Sequence, residues 1–275
     1  MKRLRVVCMC SEGASIDPIM NSLSREHEVV LLIVPQYNST KRKKKTLTPG
    51  AFLSRAISKV CFKLITMKPA VKKVEHFLQD QGVPLKRDFD VQEVRVPAHE
   101  MNHKSTAELI SRQQADVMFV CGAPILKESI FNLPKYGSIN FHFGYSPKYC
   151  GHHTLVWAFI RGDFENVAGT FLKIDAGVDT GSPLAFVFPE ITGADTIETA
   201  EGKLVMLANK SVGPAVQALA DQQFLDCQPS NEKEEIRHAD YTPLSHLSYY
   251  SRIIRNRLFF KRTVLSKERV VTPPA

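Results

Sequence analysis

The chain has 275 residues, 44% of them apolar, with 36 Lys and Arg against 28 Asp and Glu, a net charge of +8 and a mean hydropathy of −0.14. That length buries one large core, or one core with an appendage. No run of 18 apolar residues occurs, which excludes a transmembrane helix, while the basic balance admits nucleic acid, a membrane surface or an acidic small molecule as partner.

The start, MKRLRVVCMCSEGAS, has a basic flank but a short apolar run interrupted by cysteine and followed by Glu12. It reads as a first strand, RVVCMC at 5–10, rather than a signal peptide. The turn after it carries Gly13 alone, so the G-x-G-x-x-G turn that dinucleotide binding needs is absent, and no phosphate-binding P-loop motif occurs. Asp17 and Pro18 open a helix through about Leu23. EVVLLIVP at 28–35 is a second buried strand.

The charge then becomes uneven. Residues 41–73 hold eleven Lys and Arg and no acid, and residues 252–269 hold seven against Glu268. These segments contribute +11 and +6, so the remainder carries −9. Within the 36–73 basic insertion, Phe52, Leu53, Ala56, Ile57, Val60, Cys61, Leu64 and Ile65 share one helical face, while Arg55, Lys59 and Lys63 recur on another. This predicts a basic amphipathic helix: a lid, a membrane-surface helix, a nucleic-acid contact or a packed peripheral helix. KRKKK at 41–45 reads as a solvated loop or a steering patch for an anionic ligand.

A helix ending near Leu78, a strand at 91–97 and a helix over STAELISRQQA follow. Ser105 or Thr106 is the expected cap of that helix, with Glu108 completing a capping box. DVMFVCG at 116–122 and YGSINFHF at 136–143 are further strands. Strands alternating with helices imply an α/β fold with a parallel, doubly wound sheet, whose ligands bind beyond the carboxyl ends of the strands. Farther on, 154–163 reads as a helix ending near Gly162, and two strands flank a Gly/Asp-rich turn. A long amphipathic helix begins at Asp195 or Thr196 with acids in its first turn. In the final 45 residues, Leu247, Ile253, Ile254 and Leu258 suggest one more helix. The six cysteines lie mostly in apolar stretches, as free thiols of a cytoplasmic protein do. Cys8 and Cys10 share one face of a buried strand and read as packing residues.

Two segments carry chemistry. In GSINFHFGYSPKYCGHHT at 137–154, Asn140 and His142 lie two apart on a strand and share a face at its carboxyl end. In KIDAGVDTG at 173–181, Asp175 and Asp179 occupy a Gly-rich loop. An imidazole and a carboxamide on one face can both donate to a developing oxyanion. A nearby carboxylate can orient the imidazole, raise its pKa and relay protons. A core Asn with a hydrogen-bonded His at a strand end fits the same spacing, and spacing alone does not separate the two. His142, Cys150, His152 and His153 match no common zinc spacing, so no metal is expected.

These segments resemble the 10-formyltetrahydrofolate-dependent formyltransferases, which share G-x-I-N-x-H, a proline-containing loop, P-x-Y-x-G, a Trp-containing helix and a later D-x-G-x-D-T-G. The matching text is GSINFHFGYSPKYCGHHTLVWAFIRGD and GTFLKIDAGVDTG. The resemblance covers roughly 116–225 well and 1–35 weakly. It implies a Rossmann-like formyltransferase fold of a mostly parallel twisted sheet flanked by helices, with residues 1–230 as catalytic domain, 36–73 as a basic helical insertion and 231–275 as a C-terminal extension.

The resemblance also implies roles. Asn140, His142 and Asp179 would be catalytic, with Asn140 and a protonated His142 stabilising the oxyanion and Asp179 supporting the cation. The pterin of 10-formyltetrahydrofolate would dock between Cys121, Gly122, Ala123, Pro124 and Ile125 on one side and Asp175, Ala176, Gly177 and Val178 on the other. Many relatives have Pro and Ser after the catalytic His; here Phe143 and Gly144 stand there. Gly144, His152 and His153 fall to the acceptor side. The expected partners are folate and a small amine, without nucleic acid or a membrane span. The length lacks the longer carboxyl-terminal domain of the tRNA-specific branch. The insertion and altered loop resemble the hydroxyornithine transformylases of pyoverdine-type siderophore biosynthesis. The runner-up is a nucleotide-linked amino-sugar formyltransferase, and a nucleic-acid or membrane-surface protein is the reading from a different class.

Overall fold

The computed structural model describes residues 3–13, 15–37, 69–227, 230, 233–237, 240 and 242–273. The basic helix expected at 52–65 and the KRKKK run lie outside these residues.

The first half follows the apolar runs. Strand β1 (Arg5–Cys10) leads into helix α1 (Asp17–Glu26), which has Pro18 in its first turn, and then into β2 (Glu28–Gln36). Helix α2 (Pro69–Asp80), β3 (Glu93–Pro97), helix α3 (Lys104–Ser111) and β4 (Val117–Cys121) come next. A short helix α4 (Glu128–Phe131) precedes β5 (Ser138–His142). β1 pairs in parallel with β2 and β4, β2 with β3, and β4 with β5. The chain therefore winds outward from β1 to β3, returns to the other side of β1 and continues to β5. The switch lies between β1 and β4, where Ser11 N–H donates to Cys121 O at 3.0 Å. This is where the crevice of a doubly wound sheet opens.

Alternation explains the two core layers. Val6, Cys8 and Cys10 of β1 join α1, α2 and the long helix described next on one face. Val7 and Met9 meet Ile110, Ile130 and Phe131 of α3 and α4 on the other. Cys8 and Cys10 are buried free thiols. Burial of this kind is worth about 1.5–3 kcal/mol for each large aliphatic side chain.

The second half departs from parallel winding. A short strand β6 (Tyr149–Gly151) and helix α5 (Thr154–Arg161) lead to β7 (Gly169–Lys173) and β8 (Pro183–Phe188). β7 pairs antiparallel with both β5 and β8. Gly162 closes α5 at φ +69°, where glycine carries no Cβ penalty. After β9 (Ile191–Thr192), helix α6 (Ile197–Ala220) runs 24 residues, about 36 Å. Thr196 is its N-cap, and its hydroxyl and that of Thr199 complete the capping box.

Two local expectations change. Helix α3 begins with His103 as N-cap and no side-chain cap. The Thr106 hydroxyl instead donates to Glu100 O at 2.9 Å, and Glu108 pairs with Lys104. A backbone carbonyl of the preceding turn thus competes successfully for the capping hydroxyl.

The segment after residue 230 is woven into the body. β10 (Glu234–Ile236) pairs in parallel with β6, whereas β11 (Val264–Ser266) pairs antiparallel with β9 and β12 (Arg269–Val271) antiparallel with β8, as the last strand of an eight-stranded sheet ordered β12-β8-β7-β5-β4-β1-β2-β3. Helix α7 (Pro243–Phe259) buries Tyr249 and Ile253, and its Arg252 Nε donates to Ile160 O at 3.1 Å. Leu247, Ile254 and Leu258, which suggested the helix, are exposed. No helix among the described residues is long and apolar enough to cross a membrane.

Candidate active site

β5 ends at His142, so Asn140 and His142 project on the same side at the carboxyl edge of the sheet. Asp179 comes from the loop joining β7 to β8 and is held at φ +51°, a conformation Asp tolerates better than most residues. The three meet. Asn140 Nδ2 donates to Asp179 Oδ1 at 3.3 Å, and His142 Nδ1 lies 3.4 Å from Asp179 Oδ2. The Gly151 N–H donates to the same Oδ2 at 3.0 Å.

The other ring nitrogen is equally enclosed. His142 Nε2 lies 3.3 Å from Tyr149 O and 3.3 Å from Thr154 Oγ1, whose own proton goes to Phe143 O at 2.6 Å. Each neighbour of the imidazole is therefore an acceptor, a set that suits the doubly protonated ring. Burial works against that charge and pulls the His142 pKa below its ordinary value. The Asp179 carboxylate and the Tyr149 carbonyl oppose that pull without cancelling it. Burial thus favours the neutral ring, while the surrounding acceptors are placed to hold it as a cation. The carboxylate expected to raise the pKa stands beside the ring, but desolvation outweighs it and the net direction is downward.

The motif residues around this corner hold the loop. The Tyr149 hydroxyl donates to Asp163 Oδ2 at 2.7 Å, and Lys148 pairs with the same oxygen at 2.8 Å. Burial, aided by Asp163, pushes the Tyr149 pKa well up, so its hydroxyl stays a donor. Cys150 packs beneath the loop, its Sγ 3.1 Å from Ser146 O. Burial pushes its thiol pKa up, which removes it as a thiolate nucleophile. Gly144 lies behind the imidazole and outside the cavity wall. A Cβ there would stand 2.6 Å from His142 Nε2 and 2.4 Å from Thr154 Oγ1. The missing Cβ lets the ring sit flush against this turn.

Asn140, His142 and Asp179 open onto a cavity of about 860 Å³, within the range of small-molecule clefts. Cys121, Gly122, Ala123, Pro124 and Ile125 line it, as do Asp175, Gly177, Val178, His152 and His153. Ala176 is exposed and outside the wall. Asp175 is occupied internally: its Oδ1 accepts from Gly177 N–H at 3.0 Å and from the Thr180 hydroxyl at 2.7 Å. Ile125 is 70% exposed and Val178 36%, so two loops present apolar side chains to the cavity, a lining suited to a flat ring. Among the described residues, no group of three or more His, Cys, Asp or Glu is arranged to hold a metal ion.

Several site residues escaped the sequence reading. Glu235, Ile236 and Arg237 line the cavity from the segment that β10 ties to β6. The His152 N–H donates to Ile236 O at 2.9 Å, and Arg161 clasps Glu234. Glu201 also lines the cavity, although its position near the start of α6 reads as an acid placed for the helix dipole. Tyr149 and Thr154 stand within the quoted motif and could have been singled out there. Ser15 and Glu201 carry no signal of proximity, being 186 residues apart.

Comparison with known proteins gives consistent likenesses. A family model described as formyl transferase matches residues 5–216. The methionyl-tRNA formyltransferase of Bacteroides thetaiotaomicron is 27% identical over 146 residues, 53% of this chain and 42% of that protein. The methionyl-tRNA formyltransferase of Caldanaerobacter subterraneus is 34% identical over 120 residues, 44% of this chain and 37% of that protein. The chain thus spans less than half the length of these curated relatives. The crystal structure of a sugar N-formyltransferase from a Shewanella species superposes with a TM-score of 0.57 at 11% identity, covering 92% of this chain and 87% of that one. That likeness is one of fold.

Proposed function

The chain belongs to the formyl transferase family, its match running from β1 into α6, and from that premise we propose that it transfers a formyl group from 10-formyltetrahydrofolate to a small amine. The observation that carries this reading is the convergence of Asn140, His142 and Asp179 on one cavity wall at the carboxyl end of β5. 10-Formyltetrahydrofolate supplies the formyl carbon and takes up a proton at the nitrogen it is cleaved from. The Ile125 and Val178 loops are the residues that would hold its ring.

The chain's own groups divide the remaining work. The Asn140 amide gives one N–H to Asp179. Its second N–H has no partner among the described residues and serves the negative charge that develops on the formyl oxygen. As the acceptor nitrogen bonds to the formyl carbon, the proton that nitrogen sheds passes through the Asp179 carboxylate, whose Oδ2 faces His142 Nδ1, to the neutral imidazole. The imidazolium is then held by Asp179 on one side and Tyr149 O on the other. It adds its charge to the oxyanion's stabilisation and returns the proton as the old C–N bond breaks. Donors fixed in a buried corner need no reorganisation when the charge appears.

For the acceptor, we favour the side-chain hydroxylamine of hydroxyornithine, the step that hydroxamate siderophore assembly requires. A hydroxylamine nitrogen is less basic than an alkylamine and arrives unprotonated, so a neutral His142 suffices as base. Among the described residues, the cavity wall carries Glu12, Asp175, Asp179, Glu201 and Glu235 against one guanidinium, Arg237. A wall of that sign suits a cationic amino acid and opposes the diphosphate of a nucleotide-linked amino sugar.

The test is a panel assay. The protein is incubated with 10-formyltetrahydrofolate and hydroxyornithine, ornithine, amino-sugar nucleotides or glycinamide ribonucleotide, and the folate product is followed by absorbance. Turnover with hydroxyornithine is expected. Turnover confined to an amino-sugar nucleotide would transfer the assignment to the runner-up.

A further inference from the structure

Glu201 stands apart from the groups used above. It is the fifth residue of α6, on an element that contributes nothing to the catalytic corner, and it lines the same cavity. The Ser15 hydroxyl donates to its Oε1 at 2.8 Å. Its other oxygen accepts no hydrogen bond among the described residues, and it forms no ion pair there. Burial raises its pKa, and the like charge of Glu198 adds to the rise. The paired carboxylates of α6's neighbourhood behave otherwise: Glu198 meets Lys73 at 3.4 Å, and Asp195 meets Lys203 at 2.8 Å.

A partly buried carboxylate without a cation loses hydration with nothing to offset it, and a ligand cation entering the cavity would complete it. Its position fits an acceptor. Cys121, at the carboxyl end of β4, belongs to one apolar cluster with Ala200 and Leu204 of α6, and burial, with Glu201 as the lesser cause, pushes its thiol up to about 12. Glu201 thus reaches the cavity from α6, whereas Asn140 and His142 reach it from β5 and Asp179 from the β7–β8 loop.

We propose that Glu201, oriented by Ser15, binds the ammonium group of a cationic small amine acceptor whose second nitrogen is formylated at Asn140 and His142. The inference rests on the formyl-transfer reading and names the charge class of its substrate. The carboxylate selects amino acids and diamines and rejects acceptors that offer an anion at that place.

The experiment compares wild type with Glu201→Gln, which keeps the Ser15 hydrogen bond and removes the charge; equal thermal midpoints establish that the fold is intact. With hydroxyornithine, the KM of the variant is expected to rise about 10- to 100-fold, the loss concentrating in KM, with the KM for 10-formyltetrahydrofolate unmoved. Hydroxyornithine acetylated at its α-nitrogen, which lacks the ammonium, is expected to be poor for wild type and no worse for the variant. An unchanged hydroxyornithine KM in the variant, or an acetylated acceptor as good as the free one, would overturn the proposal. Calorimetric titration with ornithine reads the same site without turnover. Binding by wild type and its loss in Glu201→Gln supports the site even if no panel amine is formylated, in which case it is the formyl-transfer reading that falls; equal binding by both proteins refutes the site.

Discussion

Asp179 and Glu201 line one cavity, yet Asp179 is met by the Asn140 amide, the His142 ring and the Gly151 N–H, whereas Glu201 is met by the Ser15 hydroxyl alone among the described residues. The first carboxylate is saturated by protein groups that also define the reacting corner. The second keeps an oxygen for whatever enters. Saturation fixes geometry, which chemistry needs. An open valence on a partly buried carboxylate selects a ligand, which recognition needs. Changes in the corner should therefore strike turnover, and changes on the α6 side should strike acceptor affinity.

The sharpest way to break this division is at the donors themselves. Asn140→Ala and His142→Ala should each lower kcat by about 10²- to 10⁴-fold with the fold retained; circular dichroism and steady-state kinetics read both. A variant that loses acceptor KM and keeps kcat would place that residue in recognition instead.

Gly144→Ala probes the corner from behind. The added Cβ would meet His142 Nε2 and Thr154 Oγ1 at 2.6 and 2.4 Å, so the ring must move. We expect kcat to fall about 10- to 100-fold and stability by about 1–3 kcal/mol, measured by turnover and urea unfolding. Unchanged turnover would mean that the ring's exact seat is immaterial.

Tyr149→Phe is milder. It removes the hydrogen bond to Asp163, which retains Lys148 and Asn166. A stability loss of about 1 kcal/mol is expected, with turnover reduced less than by Gly144→Ala.

The smallest effect is a displacement of the pH profile. His142 must be neutral to accept a proton, so activity falls as pH drops through its pKa. Burial lowers that pKa, and the acid limb of kcat/KM should lie below the ordinary histidine value of about 6.5. Asp179 is the charge that raises it, so in Asp179→Asn the residual activity should show its acid limb at still lower pH. A limb moving upward would contradict this ordering of burial and charge.

The contrast between the two carboxylates also explains what the sequence could say. Asn140, His142, Tyr149 and Thr154 fall within fifteen residues of text and Asp179 in one glycine-rich loop, so local spacing puts them on one strand edge and one turn. β1, β2 and β4 were legible because strands covered on both faces read as continuous apolar runs. Direction is not written in such runs, and the antiparallel turn from β5 to β7 and β8 emerged only with the pairing. Nor does an apolar periodicity say which face is covered: in α7 it is Tyr249 and Ile253 that pack, while Leu247 and Leu258 face solvent. Glu201, Ser15 and Glu235 reach the cavity from three distant segments, and only tertiary packing brings them together.

The most direct measurement is turnover of hydroxyornithine by Asp179→Ala beside wild type, with both proteins shown to be folded. We predict that wild type forms folate product and that the variant loses that activity, because the imidazolium loses its counter-charge and Asn140 its anchor. Full activity in Asp179→Ala would contradict the account.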